Sequence, residues 1–216
     1  VTFGIALAAM NLGFYEAIDR IPLGVAVTLE FIGPLTVAIA GSRRALDLLW
    51  VTLAAGGILL LAGLGGGSID ALGASLALLA GVCWGSYILL SARVGTVFSG
   101  GAGLALAMAV GAVLLVPVGV AGAGSALLDG RVIVIGVAVA MLSSAIPYSL
   151  ELRALRRLPT GVFGVLMSIE PAAAALAGLV VLGEVLHARE LVAIALVVVA
   201  SAGATRSTNA ENLPRD

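Results

Sequence analysis

The sequence predicts an all-α membrane protein, a polytopic helical bundle of about eight transmembrane helices. Of its 216 residues, 61% are hydrophobic and 11% are charged, against about 25% charged in a soluble domain. Mean hydropathy is +1.20, so too little polar surface exists to face water. Apolar runs near the roughly 20 residues that cross a hydrocarbon core recur along the chain, joined by short connections that hold the charges and turn formers. The 29 glycines, with many alanines and valines and only 5% aromatics, are the composition of helices whose backbones approach closely in lipid.

The spans follow in order. The first, 1–18, ends at Asp19-Arg20, and the second, 22–41, opens at Pro22 and ends at Ser42-Arg43-Arg44. The third, 46–64, runs into the linker Gly65-Gly66-Gly67-Ser68, which lacks the lysine of a phosphate loop. The fourth, 71–91, is closed by Arg93; the fifth, 100–119, precedes Asp129-Gly130-Arg131, where the sixth, 131–151, begins. Arg156-Arg157 precede the seventh, 159–182, and the segment from Glu184 to Arg189 precedes the eighth, 188–205. The polar residues 206–216 read as a disordered cytoplasmic tail. Asp47, Asp70, Asp129, Glu184 and Glu190 lie near helix ends and read as solvated caps.

Alternate connections share a side of the membrane. One side collects Arg43, Arg44, Arg93, Arg153, Arg156, Arg157, Arg206 and Arg215, and the other Arg20, Arg131 and Arg189. The richer side is cytoplasmic by the positive-inside rule, which puts both ends of the chain inside. A net charge of −1 gives no basic surface for nucleic acid. The single Cys83 reads as a core residue. The single His187 stands without the Cys or clustered acids of a metal site. The sequence holds no nucleophile–base pair, so neither an enzyme nor a cofactor is expected.

The chain repeats itself. RIPLGVAVTLEFIGP (20–34) matches RLPTGVFGVLMSIEP (157–171). Pro22 corresponds to Pro159 and Pro34 to Pro171, each 137 positions apart, as do Arg20, Gly24 and Val25 with Arg157, Gly161 and Val162. Five spans follow Asp70 and three precede it, so the frame expects about 66 residues and two helices before Val1. Residues 1–64 then end a first half and 71–205 form a second, in a ten-helix architecture of two five-helix halves. Five is odd, so the halves are inverted, and inverted repeats place a substrate site near the midplane between them.

The runs NLGFYEAIDRIPLGVAVTLEFIGPLTVAIAGSRR and SSAIPYSLELRALRRLPTGVFGVLMSIEPAAAALAGLVVLGEVL resemble the bacterial threonine/homoserine exporters, in the EamA branch of the drug/metabolite transporter superfamily. The resemblance covers essentially the whole chain. It implies a ten-helix inner-membrane efflux protein driven by the proton gradient.

The resemblance does not name binding residues; the buried acids do. Glu30 is eight residues past Pro22 and Glu170 eleven past Pro159, about 12 and 16 Å along a helix. A charge at such depth is costly and faces a polar cavity, or is protonated. Each acid comes just before an internal proline, Pro34 or Pro171, and proline breaks or kinks a helix. Glu30, Gly33, Val37 and Gly41 share one helical face, and Glu170, Ala174 and Gly178 another. Those small residues leave room either for a ligand or for tight packing. Gly81-Val-Cys-Trp-Gly85 reads as a packing motif.

Asn11 and Tyr15 share a face of the first span. Ser144, Tyr148 and Glu151 form a stripe on the sixth, which Pro147 bends, and Asn11 and Tyr148 are equivalent in the repeat. An amino acid suits this mixture, because its ammonium needs a carboxylate and its hydroxyl an amide or phenol. The expected function is proton-coupled export of small neutral amino acids, with the lipid bilayer and protons as partners. Export of another small metabolite or drug by the same fold is the alternative. A truncated chain that is an inactive remnant or an assembly partner is the competing class.

Overall fold

The computed structural model describes residues 1–40, 45–61, 69–98, 101–155 and 167–209, and every element among them is helical. In chain order these are α1 (Thr2–Ile18), α2 (Leu23–Glu30), α3 (Ile32–Ala40), α4 (Ala45–Leu61), α5 (Ala71–Val97) and α6 (Ala102–Ala123). A 3₁₀ turn, Gly124–Leu128, leads to α7 (Gly130–Ala140), which passes through a π turn, Met141–Ala145, into α8 (Ile146–Leu155). α9 (Glu170–Ala177) ends in a second π turn, Gly178–Leu182, and α10 (Ala188–Asn209) closes the chain. The arginine pairs 43–44 and 156–157, the glycine linker 65–67, the second copy's RLPTGVFGV segment up to residue 166, and residues 210–216 lie outside the described residues.

By length and composition, three helical stretches among the described residues are long and apolar enough to cross a membrane: Ala71–Ser91, Ala102–Leu128 and Gly130–Glu151. Shorter apolar helices are Thr2–Ile18, Leu23–Val37, Leu49–Ile58 and Glu170–Leu182. From Gly130 to Ser143 every side chain is exposed, including Ile135 and Leu142. Such a surface is at home in hydrocarbon and not in water.

Small residues make the core. α1 packs on α5 and α6, α2 on α9 and α5, α3 on α5, and α10 on α4. One cluster gathers Ala17, Val25, Ala26, Leu29, Ala77 and Ala193, and another Phe3, Leu7, Met10, Tyr87 and Ala107. The Gly81–Gly85 motif acts as expected. A Cβ on Gly81 would stand 2.5 Å from the Glu30 carbonyl oxygen, and one on Gly33 would run into the Gly81 carbonyl oxygen. Gly33 therefore serves the packing of α3 on α5 and does not leave room for a ligand.

The second span is two half-helices, broken at Phe31. Pro34 has no N–H, so the Glu30 carbonyl loses its partner one turn earlier. Pro171 does the same to the Met167 carbonyl, and the chain turns at Ser168-Ile169. The turns at Phe31 and Ser168 thus each begin three residues before a proline, at equivalent positions of the sequence frame.

Two expected boundaries move. α5 runs on to Val97 and α10 to Asn209, so residues 206–209 of the expected tail are helical. Arg206 in that last turn suits the negative end of the helix. Asp70 caps α5 by accepting from Gly73 N–H at 2.8 Å, and Asp129 caps α7 from Arg131 N–H at 2.7 Å. Glu190 reaches back to His187 N–H at 2.8 Å, one half of a capping box, but it is buried rather than solvated. Glu184 caps another helix, and the side chain of Asp47 lies outside the described residues.

Candidate functional site

α2 and α9 lie antiparallel. At one end a Cβ on Gly24 would stand 2.6 Å from Ala175 Cα. At the other, Glu30 ends α2 and Glu170 begins α9. Both acids line one cavity of about 590 Å³. Its walls come from α1, α2, α5, the α7–α8 helix and the segment 167–173. Three carboxylates line it, Glu30, Glu151 and Glu170, together with Asn11, Ser143 and the phenols of Tyr15 and Tyr148. Phe14 and Trp84 complete the aromatic part of the wall.

Glu30 is 8% exposed. Among the described residues its carboxylate has neither a hydrogen bond nor an ion pair, and the same holds for Glu151 and Glu170. An ion pair lies elsewhere, Arg20 with Glu16 at 3.9 Å, and His187 Nδ1 stands 3.5 Å from the Glu190 carboxylate. Glu30, buried without such a partner, calls for a ligand, a water or a proton, whereas Glu151 is half-buried and Glu170 is exposed. The cavity is where all three acids find room for one.

The polar wall is held in place by short links. Tyr148 stacks on Tyr87 with ring centroids 5.9 Å apart, and Tyr87 on Phe3 at 5.3 Å. Asn11 Nδ2 donates to the Leu7 carbonyl at 2.9 Å, and Asn11 lines the same cavity as Tyr148. The two equivalent residues of the repeat therefore share one cavity. Tyr15 Oη donates to Ser143 Oγ at 3.2 Å. Trp84 is fixed edge-on against Phe31, centroids 5.4 Å apart.

Most of the expected site residues come together here: Asn11, Tyr15, Glu30, Pro147, Tyr148 and Glu170 all line the cavity. Ser144 does not; Ser143 takes its place. The reason is the π turn at 141–145, which inserts extra residue spacing one turn before Pro147. Regular helical counting pairs Tyr148 with Ser144, whereas a π turn pairs it with Ser143 by i, i+5 spacing. Pro34 and Pro171 are also not in the wall. Pro34 acts one step back, by breaking the span that carries Glu30, and Pro171 stands in the first turn of α9. Trp84 went unnoticed inside the glycine motif, where the only sequence signal was its place between two packing glycines.

A family model described as the EamA-like transporter family matches residues 71–206, from the start of α5 into α10. The threonine/homoserine exporter RhtA of Salmonella typhimurium strain LT2 is 46% identical over 211 residues, covering 97% of this chain and 71% of its own. The exporter of the same name from Escherichia coli K12 is 47% identical over 212 residues, covering 97% and 72%. The chain belongs to the EamA-like transporter family. No solved structure matches it. Within this transporter family, the acid-lined cavity is the natural place to seek the site that holds a transported molecule.

Proposed function

We propose that the protein exports small neutral amino acids, threonine and homoserine among them, across the bacterial inner membrane in exchange for protons. The observation that carries the reading is the cavity where Glu30 and Glu170, without a hydrogen bond or ion pair among the described residues and brought to one level by the antiparallel half-helices, line one wall with Asn11 and Tyr148. One carboxylate meets the substrate ammonium. The amide and phenol groups take its hydroxyl and supply donors to its carboxylate. The other acid carries the proton, and competition between proton and ammonium for one pair of acids couples the two flows. The relatives' activity as threonine/homoserine exporters supports the substrate class. Cells overproducing the full-length protein are expected to tolerate more external threonine or homoserine and to lose more of either to the medium. Amino acids retained while a lipophilic cation leaves would favour the second reading, a cation exporter, for which the aromatic wall of Phe14, Tyr15, Trp84 and Tyr148 speaks.

The architecture we propose is the ten-helix, two-half inverted repeat. Its support is the sequence frame and the equivalent placing of the turns at Phe31 and Ser168. Reporter fusions after Arg44 and after Arg157 should then read cytoplasmic, and a fusion near Asp129 should read periplasmic. A periplasmic signal at Arg157 would overturn both the orientation and the inversion.

A further inference from the structure

Glu184 does not cap the helix that precedes or follows it. Gly183 ends the π turn in the left-handed conformation, φ 69°, which glycine adopts without penalty. Glu184 N–H then donates to the Gly178 carbonyl at 3.0 Å, and its side chain is turned back across the bundle. There both carboxylate oxygens accept from Leu23 N–H, at 3.1 and 3.0 Å. Leu23 is the first residue of α2, and the residue before it, Pro22, offers no side-chain cap. Gly178 leaves the space, since a Cβ there would collide with Glu184 Oε2. A loop of the second half of the frame therefore caps the acid-bearing half-helix of the first.

This contact sits at the far end of α2 from Glu30, about 10 Å along the helix. Between the two, Gly24 and Ala175 pack with no room for a Cβ, so this end of the α2–α9 pair is sealed. Opening the cavity toward that end requires the pair to part, and parting them breaks the Glu184 cap. We propose that Glu184 is the latch that holds the site closed on that side of the membrane, and that each transport cycle must release and remake it. This rests on the transporter reading, but its test does not need the substrate to be known.

The test places a single cysteine at Ser143 in the cavity, with Cys83→Ser, in the full-length protein. Its modification by a membrane-impermeant thiol reagent is timed from each side, in right-side-out and inverted vesicles. Glu184→Ala should speed labelling from the side of Leu23 by about tenfold or more, the effect of losing a hydrogen bond to a charged group. Leu23→Pro removes the donor itself. Proline is tolerated at the first position of a helix, and Pro22 at φ −54°, ψ 142° already has the extended backbone a following proline needs. It should give the same increase, and the double variant should exceed neither single one. Glu184→Gln keeps an acceptor and should stay within about threefold of the parent. Unchanged labelling in both single variants, or additive effects in the double, would overturn the latch. So would failure of both single variants to accumulate, since the contact would then be structural. Labelling that shifts as expected in a protein that exports no amino acid would leave the latch standing and remove the transport reading instead.

Discussion

Glu30→Gln and Glu170→Gln should each leave the full-length protein folded and inserted, and at least one should abolish uphill threonine export driven by a proton gradient. Glutamine keeps the shape and the hydrogen-bonding groups but cannot ionise. Neither carboxylate has a hydrogen bond or ion pair among the described residues, so the substitution breaks no structural contact there. The loss falls on whatever meets the acid during transport. If that is the substrate ammonium, a charge-assisted contact is lost and export should fall by about 10- to 100-fold. Exchange of labelled threonine down its gradient should fail with it. If the residue only carries the proton, downhill exchange should survive while uphill export stops. Glu30 is expected to be the more sensitive. It is buried, whereas Glu170 is exposed, and its half-helix holds no other ionisable group. Normal uphill export by both single variants and by the double variant would make the carboxylates structural.

The acids were legible in the sequence because charge inside an apolar run has no cheap explanation, and the prolines because a missing N–H acts whatever surrounds it. The position of each break was not. Proline acts on the carbonyl one turn earlier, so the backbone opens at Phe31 and Ser168 rather than at Pro34 and Pro171. The same displacement misplaced Ser144. Counting by 3.6 residues per turn assumes a regular helix, and the π turn before Pro147 shifts the face by one residue, onto Ser143. Gly33 was ambiguous for another reason. A small residue beside an acid serves a ligand or a neighbouring helix equally well until the neighbour is known, and here it is Gly81. Glu184 looked like a solvated cap because it lies near a helix end. Which helix it caps depends on a contact between residues 161 positions apart, which no local pattern encodes.

That glycine contact sets an ordered series of stabilities. Gly33→Ala should be the most damaging, because its Cβ would run into the Gly81 carbonyl, and a backbone atom cannot swing aside as a flexible side chain can. Gly81→Ala comes next, with its Cβ 2.5 Å from the Glu30 carbonyl oxygen. Gly85→Ala is milder, at 3.3 Å from the Gly33 carbonyl oxygen, a gap that a small adjustment can widen. Gly56→Ala in α4 meets nothing within 4 Å and should be neutral or stabilising, since alanine is favoured over glycine in a helix by about 1 kcal/mol. Overpacking a tight interface costs about 1–3 kcal/mol, and more where the backbone must move. Gly33→Ala and Gly81→Ala should therefore lower the thermal midpoint of the detergent-solubilised protein by about 5 °C or more, read from the folded fraction that survives heating. The effect should also reach the site. Pushing α3 from α5 moves the break at Phe31, and Glu30 is the residue just before it. Export should accordingly fall in these two variants even at temperatures where the protein stays folded, while Gly56→Ala exports normally. A Gly33→Ala protein as stable and active as the parent would show that α3 and α5 do not approach as closely as their glycines allow, and the link from helix packing to Glu30 would fail with it.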